Sequence, residues 1–255
     1  MNIVKIRGMA IGEGRPKICV PVTGRTREEI ALRLEELLRA GADLAEWRAD
    51  WYGEVFEREK LLETLDFLRG ELKGLPLLVT FRTREEGGNQ EISQEAYREF
   101  LDTVAASGKA DLIDVELFRG EELLKEVCLE AHKAGVAVVA SSHDFEGTPD
   151  KDEIIRRLCW MQECGADLLK LAAMPKDAED VLTLLSATWE MKEKYARQPL
   201  ITMSMGGTGI VSRLSGEIFG SALTFGSAGV ASAPGQIGVS ELRNVLDLLH
   251  RSQTE

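Results

Sequence analysis

Two kinds of segment alternate along most of this 255-residue chain, and the alternation limits the folds it can adopt. Short apolar runs rich in β-branched residues are typical of buried strands, and the longer stretches between them have the 3.6-residue hydrophobic period of amphipathic helices. The predicted strands are 17–23, 43–50, 75–82, 111–117, 136–143, 167–171, 199–205 and 223–227. The predicted helices lie near 26–40, 57–73, 93–107, 121–134, 151–164, 178–195, 212–219 and 239–249. Glycines at 41, 74, 108, 135 and 165 stand where helices should end.

Eight strand–helix units in about 250 residues are the pattern of a (β/α)₈ TIM barrel. A doubly wound open sheet is the alternative for such an alternation, but it usually has a glycine-rich phosphate loop after its first strand. Residues 22–25 read Val-Thr-Gly-Arg, which is too short and too polar for that loop. We therefore predict an α/β fold, a (β/α)₈ TIM barrel, with its active site at the carboxyl ends of the strands.

Residues 3–11 alternate in polarity ahead of the first unit and are followed by Gly-Glu-Gly. This pattern predicts a short N-terminal β-hairpin that closes the bottom of the barrel. We find no linker, internal repeat or low-complexity tract. Residues 1–255 are accordingly predicted to form a single barrel domain.

Charge and composition exclude several classes of function. The net charge is −12, and no basic patch interrupts it, so we do not expect the chain to bind nucleic acid. No apolar run is long enough for a membrane span, and residues 1–15 lack the apolar core of a secretory signal. The four cysteines show no CxxC spacing and are expected to be free thiols. These features predict a cytoplasmic protein.

Charged residues inside the predicted strands are the most informative anomaly. Residues i and i+2 of a strand share a face, so Glu46 and Arg48 point the same way. The same spacing relates the pairs Thr80/Arg82, Asp114/Glu116, Ser141/His143 and Met203/Met205. Ionised groups inside a barrel cost several kcal/mol each unless they are paired. Polar residues on so many strands therefore indicate a built polar cavity near the strand ends.

Lys170 interrupts an apolar strand and is the clearest candidate nucleophile. Burial favours the neutral amine, which can attack a carbonyl carbon and form a Schiff base. The competing interpretation is a buried lysine paired with Glu116 or Asp114. The position alone does not decide between the two.

His143 ends the fifth predicted strand, where an imidazole can act as a general base. Strand alternation directs the neighbouring Asp144 away from the cavity. Glu85 or Glu86, just past the third predicted strand, could reach back to the histidine and fix its tautomer, because the Gly87–Gly88 pair permits a tight turn there.

Two further stretches suggest a site for an anion. Residues 203–213 form a strand end, a glycine loop and a helix start that carries Arg213, at a place where many barrels bind phosphate or carboxylate. Residues 228–238 are rich in Gly and Ala, which predicts a mobile lid, and its polar side chains are Ser232 and Gln236. We expect no metal, since no metal-ligand motif is found and arginines match the nearby carboxylates.

Seven motifs occur in one order along the chain. They are Glu-Trp-Arg at 46–48, Thr-Phe-Arg at 80–82, Glu-Gly-Gly at 86–88, Ser-His-Asp-Phe at 142–145, Met-Ser-Met-Gly at 203–206, Ser-Arg-Leu at 212–214 and Ser-Ala-Pro-Gly-Gln at 232–236. Together they resemble type I 3-dehydroquinate dehydratase, the Schiff-base dehydroquinase of the shikimate pathway. The resemblance covers residues 12–250. It implies a homodimeric (β/α)₈ barrel that needs no cofactor and converts 3-dehydroquinate to 3-dehydroshikimate and water, on the route to chorismate and the aromatic amino acids.

The resemblance also implies roles for individual residues. Lys170 would form an imine with the C3 ketone, His143 would move the protons, and Glu86 would hold His143 in the required tautomer. Substrate contacts would come from Glu46, Arg48, Arg82, Arg213, Ser232, Gln236, Met203 and Met205.

Some residues depart from the family pattern. Pro21 stands where many relatives have serine, and Ser142 replaces the commoner asparagine. Two alternative functions remain open: a Schiff-base aldolase on a similar barrel, and a barrel that binds shikimate-like metabolites without turnover. The second of these would predict a missing lysine or histidine, and both are present.

Overall fold

The computed structural model describes residues 1–229 and 236–254, and its strands and helices alternate as the sequence predicts. The strands are β1 Val4–Ile6, β2 Met9–Ile11, β3 Lys17–Val22, β4 Leu44–Arg48, β5 Leu77–Thr80, β6 Leu112–Glu116, β7 Ala137–Asp144, β8 Leu168–Ala173, β9 Leu200–Ser204, β10 Leu223–Ser227 and β11 Ile237–Gly238. The helices are α1 Arg27–Ala40, α2 Arg58–Leu72, α3 Gln94–Ala106, α4 Glu121–Lys133, α5 Lys151–Glu163, α6 Ala178–Lys194, α7 Ile210–Leu214, α8 Gly216–Phe219 and α9 Val239–Thr254.

Strands β3 to β10 form the eight-stranded wall of a (β/α)₈ barrel. They pair in parallel in the order β10-β3-β4-β5-β6-β7-β8-β9, and β11 extends the sheet beside the end of β10. The wall closes between β9 and β10 through one isolated bridge, Leu200 to Ser221. There the Ser221 hydroxyl accepts a hydrogen bond from the backbone N–H of Thr202 at 3.0 Å. The predicted fold class is therefore confirmed.

The inward side chains change character along each strand, as period-2 alternation requires. An apolar cluster fills the lower barrel and includes Leu44, Leu78, Leu112, Val139, Leu168, Ile201 and Leu223. Two residues further along the same strands, the inward positions of β4, β6 and β8 are Glu46, Asp114 and Lys170. The polar residues thus occupy the half of the barrel that faces the carboxyl ends of the strands.

The N-terminal hairpin packs against the opposite, apolar end. Strands β1 and β2 pair antiparallel, and Ile6 and Ile11 join the apolar cluster of the lower barrel. The Arg7 Nε donates to Asp111 Oδ1 at 2.7 Å, just before β6. The predicted hairpin and its position at the bottom of the barrel are both confirmed.

The helices begin and end at residues that satisfy the free backbone groups of the terminal turns. Thr26, Ser93 and Asp150 each cap a helix by accepting a hydrogen bond from a backbone N–H of the first turn. Gly41 ends α1 in a left-handed conformation, φ 73°. Among the described residues, no helix has the length and apolarity that a bilayer span requires.

The structure differs from the sequence prediction mainly at the ends of elements. The predicted strand 43–50 ends at Arg48, and a 3₁₀ turn, Ala49–Trp51, follows. The predicted helix 212–219 is two short helices, α7 and α8, because Ser215 leaves helical geometry with φ −101° and ψ 16°. Short 3₁₀ turns at Arg84–Glu86 and Leu117–Arg119 carry no periodic signal that a sequence could reveal.

Candidate active site

A cavity of about 160 Å³ opens at the carboxyl ends of the barrel strands. Its walls include ten of the eleven site residues predicted from the sequence: Glu46, Arg48, Arg82, Glu86, His143, Lys170, Met203, Met205, Arg213 and Gln236. The eleventh, Ser232, lies outside the described residues, together with most of the predicted lid. The alternation that put polar residues on strand faces therefore brings side chains from distant parts of the chain to one place.

Glu86 and His143 form a buried pair on one side of the cavity. His143 Nδ1 and Glu86 Oε2 are 2.9 Å apart, and both side chains are nearly inaccessible to solvent. Burial raises the pKa of Glu86 to about 8, although Arg82 acts in the opposite direction. Burial, together with Arg82, Lys170 and Arg48, lowers the pKa of His143 well below 6.5. At neutral pH the imidazole is therefore uncharged, and the pair changes its protonation state near pH 8 through the carboxyl group.

Arg82 is the centre of the buried charge network. Its Nη2 donates to Asp114 Oδ1 at 2.8 Å, and its Nη1 donates to Glu116 Oε1 at 2.8 Å and to Ser141 Oγ at 3.0 Å. Glu86 Oε2 lies 3.4 Å from the same Nη1. Burial alone would lower the pKa of Arg82, but the three carboxylates raise it well above its ordinary value. Arg82 is therefore a permanent cation that orders the acidic side chains around it.

Lys170 lies deep in the cavity on β8, and its side chain is 6% exposed. Its Nζ is 3.6 Å from Asp114 Oδ2 and 3.8 Å from Glu46 Oε1, and it lies 4.7 Å from the centre of the Phe225 ring. The sequence left open whether this lysine faces a cavity or is paired with a carboxylate. It does both, and its carboxylate partners are Asp114 and Glu46 rather than Glu116.

Arg48 is held by a carboxylate that follows it on the chain. Its Nε and Nη2 donate to the two oxygens of Asp50, at 2.8 and 2.9 Å. Asp50 is completely buried and also accepts backbone hydrogen bonds from Arg82 and Asn89. The bidentate pair fixes the plane of the Arg48 guanidinium at the cavity wall.

Arg213 enters the cavity from α7, in the connection between β9 and β10. It is 2% exposed, and its Nη1 donates to Met203 Sδ at 3.6 Å. Burial lowers the pKa of Arg213 to about 10, so the guanidinium still carries its charge at neutral pH. Met205 and Gln236 line the cavity as well. A buried cation beside thioether and amide groups is suited to receive an anionic group of a ligand.

The cavity as a whole is not simply positive, because it contains buried charges of both signs. Salt bridges connect Arg48, Arg82 and Lys170 to carboxylates, and the partners are Glu46, Asp50, Glu86, Asp114 and Glu116. Buried ions of both signs satisfy one another at the cost of desolvation.

The chain reaches Glu86 through a tight turn that depends on glycine. Gly87 ends the 3₁₀ turn Arg84–Glu86 with φ 82°, a conformation that side chains with a Cβ rarely adopt. A Cβ on Gly88 would lie 1.8 Å from the Arg82 carbonyl oxygen. The turn therefore folds back onto the backbone of Arg82 and places the Glu86 carboxylate beside His143, as the sequence predicted for one of the two glutamates.

Five wall residues were not identified as site residues from the sequence: Pro21, Gly87, Phe145, Ala172 and Phe225. Phe225 is two residues beyond Leu223 on β10, so period-2 alternation could have predicted that it faces inward. Phe145 follows β7 and packs over Gly87, where a Cβ would lie 2.4 Å from its Cζ. That contact arises from the turn conformation and leaves no periodic signal.

No cluster of three or more His, Cys, Asp or Glu side chains suited to a metal is found in residues 1–229 and 236–254. The carboxylates of the cavity are engaged with arginine, lysine, serine and threonine side chains.

Comparison with known proteins gives consistent matches over the whole chain. Residues 18–253 match the family model described as type I 3-dehydroquinase. The 3-dehydroquinate dehydratase of Syntrophotalea carbinolica is 52% identical over 250 residues, which are 98% of this chain and 99% of that protein. The crystal structure of type I 3-dehydroquinate dehydratase from Clostridium difficile, with covalently modified comenic acid, has a TM-score of 0.96 at 51% identity and covers 98% of this chain and 99% of its own. The 3-dehydroquinate dehydratase structure from Geobacillus kaustophilus has a TM-score of 0.95 at 39% identity, with coverages of 98% and 97%.

Proposed function

This chain belongs to the type I 3-dehydroquinase family, and from that membership we propose that it is a hydro-lyase that dehydrates 3-dehydroquinate to 3-dehydroshikimate through a Schiff base on Lys170. The observation that carries the proposal is the meeting of a buried lysine, a Glu–His pair and a buried arginine in one cavity. This activity belongs to the shikimate pathway. The whole site would reside in one barrel domain.

Lys170 would begin the reaction as a nucleophile. The lone pair of the neutral Nζ attacks the C3 carbonyl carbon. The carbonyl oxygen leaves as water with one proton from the amine and one taken up from solvent, and a protonated imine remains. The imine withdraws electrons from C2 and makes its C–H bond acidic. Lys170 is nine-tenths buried, which excludes competing water from the nitrogen.

His143 would then move the protons. Its Nδ1 faces Glu86, so Nε2 is the ring nitrogen available to the substrate. When Glu86 is ionised, Nδ1 keeps its proton and Nε2 can accept the C2 proton, while the C–H electron pair forms an enamine. The enamine electrons next form the C1–C2 double bond as the C1 hydroxyl leaves with the proton from His143. Water finally hydrolyses the imine and frees Lys170.

The remaining wall residues would orient the substrate. Arg213 would bind the substrate carboxylate, with Gln236 and Ser232 closing over it, since Arg213 is a buried cation at the mouth. Glu46, Arg48 and Arg82 would meet the ring hydroxyls, and Met203 and Met205 would pack against the ring. The bidentate Asp50 partner supports Arg48 in that role.

The homodimer and the cytoplasmic location expected from the family are part of the same proposal. Large apolar side chains support an association between copies, because Leu182 and Trp189 on one face of α6 are 66% and 50% exposed. Analytical ultracentrifugation measures the mass directly.

A borohydride trap tests the nucleophile, the substrate and the mechanism together. We expect 3-dehydroquinate with sodium borohydride to add the mass of the reduced substrate to the peptide that contains Lys170. Lys170→Ala should abolish the adduct and lower kcat by at least about 10³-fold, because an activated nucleophile is lost. The exposed Lys176, in the loop after β8, supplies the control, and Lys176→Ala should still form the adduct.

The same samples decide between dehydration and the alternatives. Without borohydride, dehydration produces an enone that absorbs in the ultraviolet, whereas an aldolase would not form it from 3-dehydroquinate. Turnover at the wild-type rate in Lys170→Ala, or in His143→Ala, would contradict the proposed roles of these residues.

A further inference from the structure

Asp114 is a buried carboxylate that the mechanism above does not use. It lies at the inward position of β6 between the apolar and polar halves of the barrel and is completely inaccessible to solvent. Its two oxygens have different surroundings. Oδ1 accepts hydrogen bonds from Ser141 Oγ at 2.6 Å and from Arg82 Nη2 at 2.8 Å. Oδ2 accepts no hydrogen bond from the described part of the chain and lies 3.6 Å from Lys170 Nζ.

The charge of Asp114 is maintained by its neighbours. Burial alone would raise its pKa, but Arg82, Lys170 and the Ser141 hydrogen bond together lower it. Asp114 is therefore ionised at neutral pH. Arg82 is also shared with Glu116 and Glu86, so one guanidinium serves three carboxylates. On the Oδ2 side, the ion-pair partner of Asp114 is therefore the Lys170 ammonium, at 3.6 Å.

We propose that Asp114 Oδ2 is the counter-ion of Lys170 Nζ, both as the ammonium of the free enzyme and as the protonated imine of the covalent intermediate. This inference rests on the proposed Schiff-base function. The charge on Nζ is positive in the ammonium, zero in the attacking amine, positive in the imine and zero in the enamine. Asp114 takes up no proton and forms no bond in these steps. It stabilises the two positive states electrostatically, through a short distance in a medium from which water is excluded.

Glu46 is less suited to this role, although it lies at a similar distance from Lys170. Its Oε1, 3.8 Å from Nζ, already accepts a hydrogen bond from Thr80 Oγ1 at 2.8 Å. Glu46 also lines the cavity and is available to the substrate, whereas Asp114 is not a wall residue. The titratable and charged groups around the Lys170–Asp114 pair include Glu46 on β4, Arg82 and Glu86 after β5, Tyr97 on α3, Glu116 on β6, His143 on β7 and the Cys19 thiol on β3.

Asp114→Asn tests the proposal, because the amide oxygen can keep the hydrogen bonds of Oδ1 while the charge is lost. We would measure the rate of borohydride-trapped adduct at Lys170 with 3-dehydroquinate from pH 5 to 10. The pH midpoint should fall by about 1 unit or more, since the ammonium loses a nearby opposite charge. At the upper plateau kcat should fall at least about tenfold, because the imine loses the same charge.

Glu116→Gln is the matched control. Glu116 is equally buried and accepts from Arg82 at the same 2.8 Å, but its other contacts are to Thr83. Its loss should leave the pH midpoint of trapping unchanged, whatever it does to the rate. Asp114→Glu, which keeps the charge, should likewise keep the midpoint near the wild-type value. A merely structural role for Asp114 would lower the rate at every pH without moving the midpoint, and that result would overturn the proposal.

A stability cycle gives a second measurement that does not depend on catalysis. Asp114→Asn should lower the melting temperature less in a Lys170→Met background than in the wild type, because removing both charges leaves neither unbalanced. Glu116→Gln should lower it equally in both backgrounds. If Asp114→Asn fails to fold with and without Lys170→Met, the carboxylate serves Arg82 and the proposal is wrong. If the wild type itself gives no adduct at Lys170, the Schiff-base function fails, and that outcome is distinct from a normal trap with an unmoved midpoint.

Discussion

At the scale of single residues, the buried carboxyl group of Glu86 lowers the stability of the fold when it is ionised, although the proposed reaction needs that ionised form. Its carboxyl group is buried next to Glu116 and Asp114, and a single guanidinium, from Arg82, is shared among all three. The ionised form is needed to keep the His143 proton on Nδ1, yet the environment disfavours that form below about pH 8. The group that we propose orients the base therefore lies in an environment that opposes its charge.

The stability of the fold should depend on this group. The pKa of Glu86 is raised in the folded state, from 4.5 to about 8, so its contribution is fully favourable below pH 4.5 and is lost as pH rises through 8. A shift of this size corresponds to a loss on the order of 5 kcal/mol in the free energy of unfolding.

Glu86→Gln removes the titration while keeping the size of the side chain. We expect the variant to gain stability relative to the wild type as pH increases from 5 to 9, measured by urea unfolding at each pH. Glu85→Gln is the control, because the pKa of Glu85, lowered chiefly by its backbone hydrogen bond, places its titration below this range. An equal difference from the wild type at pH 5 and pH 9 would show that Glu86 is not the strained group.

The sequence could predict which residues face the cavity, and it could not predict how they pair. Alternation along strands puts Glu46, Arg48 and Lys170 inward, because the period of a strand is fixed. The partner of Lys170 depends on the stagger between neighbouring strands, which determines whether Asp114 or Glu116 lies at its level. That stagger is set by the whole closed sheet and is not encoded in any one strand.

At the scale of elements, the turn between β5 and α3 leaves the least room for a side chain, because its Gly88 is packed against the backbone of Arg82. Gly88 donates its N–H to Thr83 O at 2.7 Å, and its Cα lies against the Arg82 carbonyl. The same turn positions Arg82 and Glu86, two residues of the buried network. Backbone geometry and site electrostatics are therefore coupled through one glycine.

Gly88→Ala should destabilise the protein and impair catalysis together. The added Cβ has to displace the backbone, which we expect to cost about 3 kcal/mol and to lower kcat/KM by misplacing Glu86. Gly74, which follows α2 and has open space around it, gives the control, and Gly74→Ala should change neither property. Thermal unfolding and steady-state kinetics of both variants provide the check, and a Gly88→Ala protein as stable as Gly74→Ala would refute the steric argument.

The element boundaries show where sequence patterns stop being informative. Glycine and capping residues mark most helix ends, since they satisfy backbone groups locally. The break between α7 and α8 at Ser215 cannot be predicted from the hydrophobic pattern, because that pattern continues across it. The Ser215 hydroxyl donates to the Val211 carbonyl oxygen, a hydrogen bond that a serine inside a helix also makes. A serine in such a position is read equally well as part of one helix.

At the scale of the whole molecule, the barrel separates its stabilising end from its reactive end. The hairpin and the lower apolar cluster close one end, and all the charged residues of the cavity lie at the other. This division could be predicted from the order of apolar and polar inward positions along each strand. Ser232 and most of the lid lie outside the described residues, and the roles of the other predicted site residues also stay predictions.

Ile11→Ala tests the separation. Ile11 is completely buried where the hairpin meets the barrel, so its truncation should cost about 2–5 kcal/mol in the free energy of unfolding. We expect kcat at 25 °C to stay at the wild-type value, because the cavity lies at the opposite end. Ile3→Ala, at an exposed position just before the hairpin, should be neutral in both respects. A large loss of kcat in Ile11→Ala would mean that the two ends are coupled.

The joint between β9 and β10 has a consequence for how the barrel moves. Elsewhere each strand is tied to its neighbour by a continuous ladder, but here the ring is fastened by one bridge and the hydroxyl of Ser221. Few hydrogen bonds join the two strands here, so we expect local opening of the barrel wall to begin at this joint. Met203 lies on β9 at one side of the joint and Phe225 on β10 at the other. Arg213 lies on α7, in the connection between these two strands. A ligand that contacts all three residues would connect β9 to β10 across this joint. Binding in the cavity would therefore also stabilise the closure of the barrel wall.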